Sequence, residues 1–239
     1  MREIQLNINV ISAGAAMGLV RSLEASFRGA TGLGITGTFG AVGAMSEKLA
    51  LGAPCDVIIL TDRQIRALHA EGKVQASKIA ILGCVPTAIA VCAGCPKPSI
   101  KDQTTLRATL VASSAVYLPD PMRATAGIHF ASVLKALGVH PPLRPFPNGA
   151  EAMRALALSQ DRSAIGCTQA SEILYTEGVT LVGPLPEEVG LVTAYAAAVT
   201  KDAPNPQAAR TLVELLSSPR TARIREAAGF GQSFSGDNH

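Results

Sequence analysis

The chain of 239 residues has no tryptophan, and aromatic residues make up only 4% of it. Its core must therefore be built mainly from alanine, valine, leucine and isoleucine. Charge is scarce too: acidic and basic residues together reach 16%, with a scattered net charge of +3. No basic run is interleaved with aromatics, which excludes a nucleic-acid-binding surface of the usual kind. A hydrophobic share of 48% excludes a disordered chain. No window approaches ~20 apolar residues free of polar breaks, so no transmembrane helix is expected. Nor does Met1-Arg2-Glu3 lead into an apolar run of about 7–15 residues with a small-residue cleavage site. As written, the sequence predicts a cytoplasmic protein; a chain trimmed to a mature start and given a new Met would instead be periplasmic. The five cysteines, Cys55, Cys84, Cys92, Cys95 and Cys167, are odd in number and lack zinc-site spacing. Cys92-Ala-Gly-Cys95 is formally a C-x-x-C, but Pro96, Lys97 and Pro98 follow where a redox motif would open a helix. Buried, reduced thiols are expected. No metal spacing, nucleotide loop or Ser-His-Asp arrangement is present, and no cofactor or metal is expected.

What is there is an alternation of strand and helix. "IQLNINVI" (4–11) reads as a strand, and residues 15–32 as a helix with Leu19, Leu23 and Phe27 on one face. "LGITGTF" (33–39) and "DVIIL" (56–60) read as strands, the second fully apolar as in a parallel sheet covered on both sides. Helices are predicted at 43–53 and over "DRQIRALHAEG", the latter capped by Thr61 or Asp62 and stopped at Gly72. A long β-rich run, 81–94, is broken by Pro86. A second series follows, with strands at 114–118, 144–146 and 163–167. Its helices lie over the segment ending at Gly138, over "NGAEAMRALALSQD" and over "TQASEILYTEG". A second β run (190–199) precedes two closing helices, 204–217 and 219–228. This order predicts an α/β protein with two lobes, a clamshell of mixed, mainly parallel sheets joined by two crossover strands. Lobe I would hold residues 1–83 and 192–239, and lobe II residues 84–191. In such folds a ligand sits in the cleft at helix N-termini.

The turn "TFGAVGAM" (38–45) poses the functional question. Small residues between a strand and a helix let a ligand approach the backbone, where free N–H groups and the helix dipole favour an anion. Similar starts fall near Gly14 and Ala15, at Thr125 and Ala126, and at Gly149. Yet Ala41 and Val42 bring no hydroxyl.

The order of motifs resembles the molybdate-binding proteins of ABC importers, in the type II periplasmic binding protein superfamily. The likeness lies in "NVISAGAAMGLVRSLEASF", "FGAVGAMSEKLALGAPCDVIILTD", "LPDPMRATAGIHFASVLKALG", "PNGAEAMRALALSQ", "AIGCTQASEI" and the closing "NPQAARTLVELLSSPRTARIREAAGF". It implies that fold over nearly the whole chain. The family's ligand chemistry matches less well. Its two ligand serines fall at Ala15 and Val42, and its ligand tyrosine at Gln169. Backbone-type contacts remain at Ala126 and near Gly149.

Losing three hydroxyls at once would remove several orders of magnitude of affinity for a stripped tetrahedral dianion. A small anion is still expected, and an organic di- or tricarboxylate fits better than molybdate. Val42 would supply an apolar wall, Gln169 an amide and Arg123 a guanidinium fork. Ser12 and Thr125 add hydroxyls beside the same turns. Each has a plainer reading: Arg123 as a solvated turn residue, Val42 as hinge core, Gln169 as a helix cap. Some proteins similar to this family are aconitate isomerases, so a cytoplasmic isomerase working by an allylic proton shift is an alternative. For it the candidate bases are Ser12 and His129, with Asp62 favoured as a helix cap. A molybdate- or tungstate-binding importer component is a further alternative, with a permease as partner only if the protein is secreted. His69 and His140 carry no signal.

Overall fold

The computed structural model describes residues 7–231, apart from the side chains of residues 76–78. The first three residues of the predicted opening strand lie outside that range. The chain divides into two compact units. One holds the residues up to Phe39, Ala44–Cys84 and the chain from Ala194 onward; the other holds Gly40–Gly43 and Val85–Thr193.

In the first unit, strands β1 (Asn7–Ala13), β2 (Gly34–Gly40) and β3 (Val57–Thr61) join the larger part of β9 (Val192–Thr200) in the order β2-β1-β3-β9. β1 and β3 are parallel, with Val10 opposite Val57, and β9 runs antiparallel to β3. The four residues of β3 before Thr61 are completely buried, as are Ala196, Ala197, Ala198 and Val199 of β9. The apolar run of β3 has this cause: both faces of the strand are covered. Helix α1 (Met17–Thr31) follows a 3₁₀ turn at Gly14–Ala16. It buries Leu19, Leu23 and Phe27 at helical spacing and ends on Gly32 at φ 73°. It packs on α8 (Pro206–Ser217), whose buried face carries Ala209, Leu212 and Leu216. Helices α2 (Val42–Ala50) and α3 (Asp62–Ala70) follow β2 and β3. Thr61, rather than Asp62, caps α3 by accepting the Gln64 N–H at 3.4 Å. Asp62 is instead the first helical residue and pairs with Arg66 at 2.7 Å. A short helix α9 (Ala222–Ala227) precedes Gly231, which bonds reciprocally with Cys84.

The predicted break at Pro86 is absent. β4 (Val74–Cys92) runs unbroken through 19 residues. Its irregular point is Gly83, at φ 135°, where a side chain would strike the Gly231 carbonyl and Phe230. In the second unit β5 (Val116–Pro119), β6 (Leu143–Phe146), β7 (Ile165–Gln169) and β8 (Val179–Pro184) complete a sheet of order β4-β7-β5-β6, with β8 also on β4. β5 is parallel to β6 and β7, whereas β4 is antiparallel to β7 and β8. Helices α4 (Gln103–Ala112), α5 (Thr125–Leu137), α6 (Gly149–Ser159) and α7 (Ala170–Tyr175) cover it. Two elements were not expected, α4 and β8. The first has a legible signal in Asp102 and Thr105, which form a capping box. The second is only half buried and bulged against β4, so it shows neither alternation nor an apolar run. Among the described residues no helix is long and apolar enough to cross a membrane.

All five cysteines are free. Burial pushes the Cys55 thiol up to about 12 and raises Cys167 as well, so neither is a nucleophile.

The tie that closes the first unit is the fully buried Asp56 in the "GAPCDV" stretch. Its carboxylate accepts the Asn9 N–H at 2.7 Å and the Asn205 N–H at 2.6 Å. Its backbone bonds Asn9 O and Thr200 N. One side chain thus joins the start of β1 to the start of α8. Asp56→Ala leaves two amides without acceptors and should lower the unfolding free energy by roughly 2–4 kcal/mol, read by urea denaturation. Asp56→Asn, which keeps one acceptor, should lose less.

Candidate functional site

Each helix that begins inside a protein exposes N–H groups needing acceptors. Four helices here find them in a side chain one residue upstream: Thr61 for α3, Asp102 for α4, Asn148 for α6 and Asn205 for α8. α1 and α5 do not. Neither has a side-chain cap or an acidic residue in its first turn. Gly14, Ala15 and Ala16 before α1 are buried, as is Ala126 at the start of α5.

In the first unit, Ser12 is completely buried at the carboxyl end of β1, and its hydroxyl donates to the Ala13 carbonyl at 2.9 Å. Among the described residues no base is bonded to it. The remaining candidates fall in the second unit. Gly43 donates its N–H to the Arg123 carbonyl at 3.2 Å, and a Cβ at Gly43 would meet that oxygen at 3.1 Å. The start of α2 is therefore pinned by backbone to the turn that leads into α5. Ala41 and Val42 are buried beside this contact, whereas Arg123 is exposed. Thr125 is half-buried. At Gly127 a side chain would collide with the Pro119 and Asp120 carbonyls, which explains the small residue in "TAG". His129 is placed otherwise: its Nε2 lies 2.9 Å from the Val189 carbonyl, so that nitrogen carries the proton and ties α5 to the 187–189 turn.

The carboxyl end of β7 organises the rest. Successive side chains of a strand point to opposite faces. α6 covers one face, with Met153 and Leu156 against Gly166, and α5 belongs to the core on the other. On the α6 side, Thr168 donates to the Glu172 carboxylate at 2.5 Å. The same carboxylate accepts the backbone N–H groups of Gly149 and Gln169. A Cβ at Gly149 would strike both Glu172 and Thr168. Gly149 is thus glycine because an internal carboxylate occupies the start of α6. Nothing in composition marks Glu172, but its position three residues after Gln169 is that of a reciprocal cap.

On the other face the order is different. Gln169 is 3% exposed, and its Nε2 donates to Thr193 Oγ1 at 3.4 Å. It makes no side-chain cap for α7. Its cross-strand partner is Thr87. α5 leaves the carboxyl end of β5, which is parallel to β7, so the uncapped start of α5 lies at the same end of the sheet as Gln169. The Glu172 carboxylate closes one face of this end; on the other stand the Gln169 amide and, at the same end of the sheet, the start of α5, with no side-chain cap. Among the described residues no group of three or more His, Cys, Asp or Glu side chains could hold a metal ion.

Burial raises the Glu172 carboxyl above the ordinary glutamate range, against the opposing hydrogen bonds from Thr168, Gln169 and Gly149. A carboxyl raised on folding contributes fully below the unfolded value of about 4.3, and its contribution fades as pH rises through the folded value. Glu172→Gln mimics the protonated form. Its melting temperature relative to the parent should rise from ~pH 4 to ~pH 8 in thermal scans. A relative fall over that range would show the buried carboxylate to be favoured in its charged form.

Comparison with known proteins agrees with this architecture. An aconitate isomerase from a Pseudomonas species is 26% identical over 234 residues, covering 93% of this chain and 86% of that protein. The molybdate-binding protein ModA of Escherichia coli K12 is 25% identical over 227 residues, covering 93% and 88%. Among solved structures, the periplasmic molybdate-binding protein of Azotobacter vinelandii superposes with a TM-score of 0.76 at 18% identity, covering 95% of this chain and 99% of that one. The family described as bacterial extracellular solute-binding protein matches residues 8–231. With the fold, the topology and this match in agreement, the chain belongs to the bacterial extracellular solute-binding protein family, of the ModA-like type II periplasmic binding kind.

Proposed function

We propose that the chain binds a small organic di- or tricarboxylate, in preference to molybdate. The observation that carries this is the asymmetry at the end of β7. Glu172 already satisfies the start of α6, whereas α5 begins beside Gln169 with neither a cap nor an acid. A donor set of that kind suits an external anion.

The chemistry of the walls supports the choice among anions. By the resemblance to molybdate binders, Val42, Ala15 and Gln169 take the positions of that family's ligand hydroxyls, and each lost hydrogen bond to a charged ligand costs about 1.5–3 kcal/mol. An organic acid needs fewer donors per unit of surface and gains from the apolar side chain of Val42. Arg123, exposed before α5, is the cation suited to a second carboxylate.

Thermal shift with citrate, trans-aconitate, succinate, molybdate, tungstate and sulfate tests the ligand class. A tricarboxylate should raise the melting temperature increasingly with its concentration. A shift with molybdate or tungstate alone would overturn the carboxylate reading. Arg123→Ala should weaken carboxylate binding in calorimetric titration; unchanged affinity would make the arginine a bystander.

The likeness to an aconitate isomerase favours a second reading, isomerisation of an unsaturated polycarboxylate by an allylic proton shift. Ser12 and His129 both spend a proton on a backbone carbonyl, and neither has a base as its described partner. Binding is therefore the primary reading. Incubation with trans-aconitate in D₂O, followed by NMR, separates the two: isomer formation or deuterium uptake would establish the enzyme.

A further inference from the structure

Thr87 is a buried residue whose backbone is fully used. Its N–H donates to Leu191 O at 2.8 Å, and its carbonyl accepts Leu185 N–H at 3.0 Å. Its side chain is completely buried, and among the described residues the hydroxyl oxygen has no hydrogen-bond partner. A buried hydroxyl without a hydrogen bond costs more than the bond would have gained. Valine has nearly the same shape and avoids that cost, so a threonine here calls for a polar group from outside the chain.

The register says where that group would be. Thr87 lies directly opposite Gln169, Ile89 opposite Cys167 and Val91 opposite Ile165. Direct partners project from the same face with Cβ atoms about 4.5–5.5 Å apart. Ile89, Val91, Cys167 and Ile165 belong to the apolar core shared with Phe130, Val133 and Leu134 of α5. Thr87 and Gln169 end that row, on the face that α5 covers and at the end where α5 begins without a cap. Hydroxyl, amide and helix start therefore lie on one face and at one end of the second unit's sheet.

We propose that the Thr87 hydroxyl is a ligand-binding donor, which with Gln169 holds an oxygen of the bound anion. The residue offers, from the sheet, a hydroxyl directly across from the Gln169 amide. The choice of a carboxylate oxygen rests on the functional reading above; the role of Thr87 as a donor does not.

Calorimetric titration of the full chain and of Thr87→Val and Thr87→Ser with citrate, trans-aconitate and molybdate tests this. Thr87→Val should melt no lower than the parent, yet bind the anion at least about tenfold more weakly, and Thr87→Ser should restore most of the affinity. Valine-variant affinity within about twofold of the parent would overturn the proposal, as would a loss that serine does not rescue. If the parent takes molybdate and no carboxylate, the functional reading fails, and the same two variants titrated with molybdate decide Thr87 by the same criteria. Thr87→Ala provides the comparison should the valine variant not fold.

Discussion

A helix that starts inside a protein must find acceptors for its first N–H groups, and the organisation of this molecule follows from where those acceptors come from. Thr61, Asp102, Asn148 and Asn205 answer the demand locally for four helices. Glu172 adds a buried carboxylate at the start of α6 and holds the turn into α7 at the same time. α1 and α5 are left with alanine and glycine around their first turns, buried and without acids. The two treatments have opposite consequences. A helix closed by its own chain is scaffold; one left open to an outside acceptor can bind.

The contrast is sharpest across a single strand. Thr168 and Gln169 are neighbours in β7 and face opposite ways. Thr168 serves Glu172 and thus the interior. The Gln169 side chain instead donates to Thr193 and stands across from Thr87, on the face that α5 covers. The two faces of one strand end are thus treated differently: a carboxylate of the chain fills one, and amide and hydroxyl side chains stand on the other. Buried carboxylates do the internal work elsewhere too, as Asp56 shows by joining the starts of β1 and α8.

Much of the fold was legible in the sequence because its signals are local. Leu19, Leu23 and Phe27 repeat at helical spacing, Gly32, Gly72 and Gly138 stop helices at positive φ, and the apolar β3 reads as a covered strand. The errors have separate causes, one set by pairing across the sheet and one by competition between neighbouring residues. Pro86 suggested a break, yet the strand continues, because paired neighbours hold β4 on either side. Asp62 resembled a cap, but Thr61 stands one residue nearer and Arg66 claims the carboxylate. Motif order alone brought forward Val42, Ala126 and Gln169 as candidates, and the structure places all three in buried positions. Glu172 has at most the spacing of a reciprocal cap to mark it, and no neighbour in sequence reveals the burial of Thr87.

The sequence by itself determined the alternation of strands and helices, the small-residue turns and the absence of hydroxyls at Ala15 and Val42. These depend on residue type and spacing, which the chain carries openly. Only the tertiary structure decided which helix starts are satisfied from within. That outcome depends on cross-strand register and on side chains arriving from other elements: Glu172 onto Gly149, the Arg123 carbonyl onto Gly43, Thr87 opposite Gln169. A buried polar group is defined by what lies across from it in space, and spacing along the chain holds no record of that.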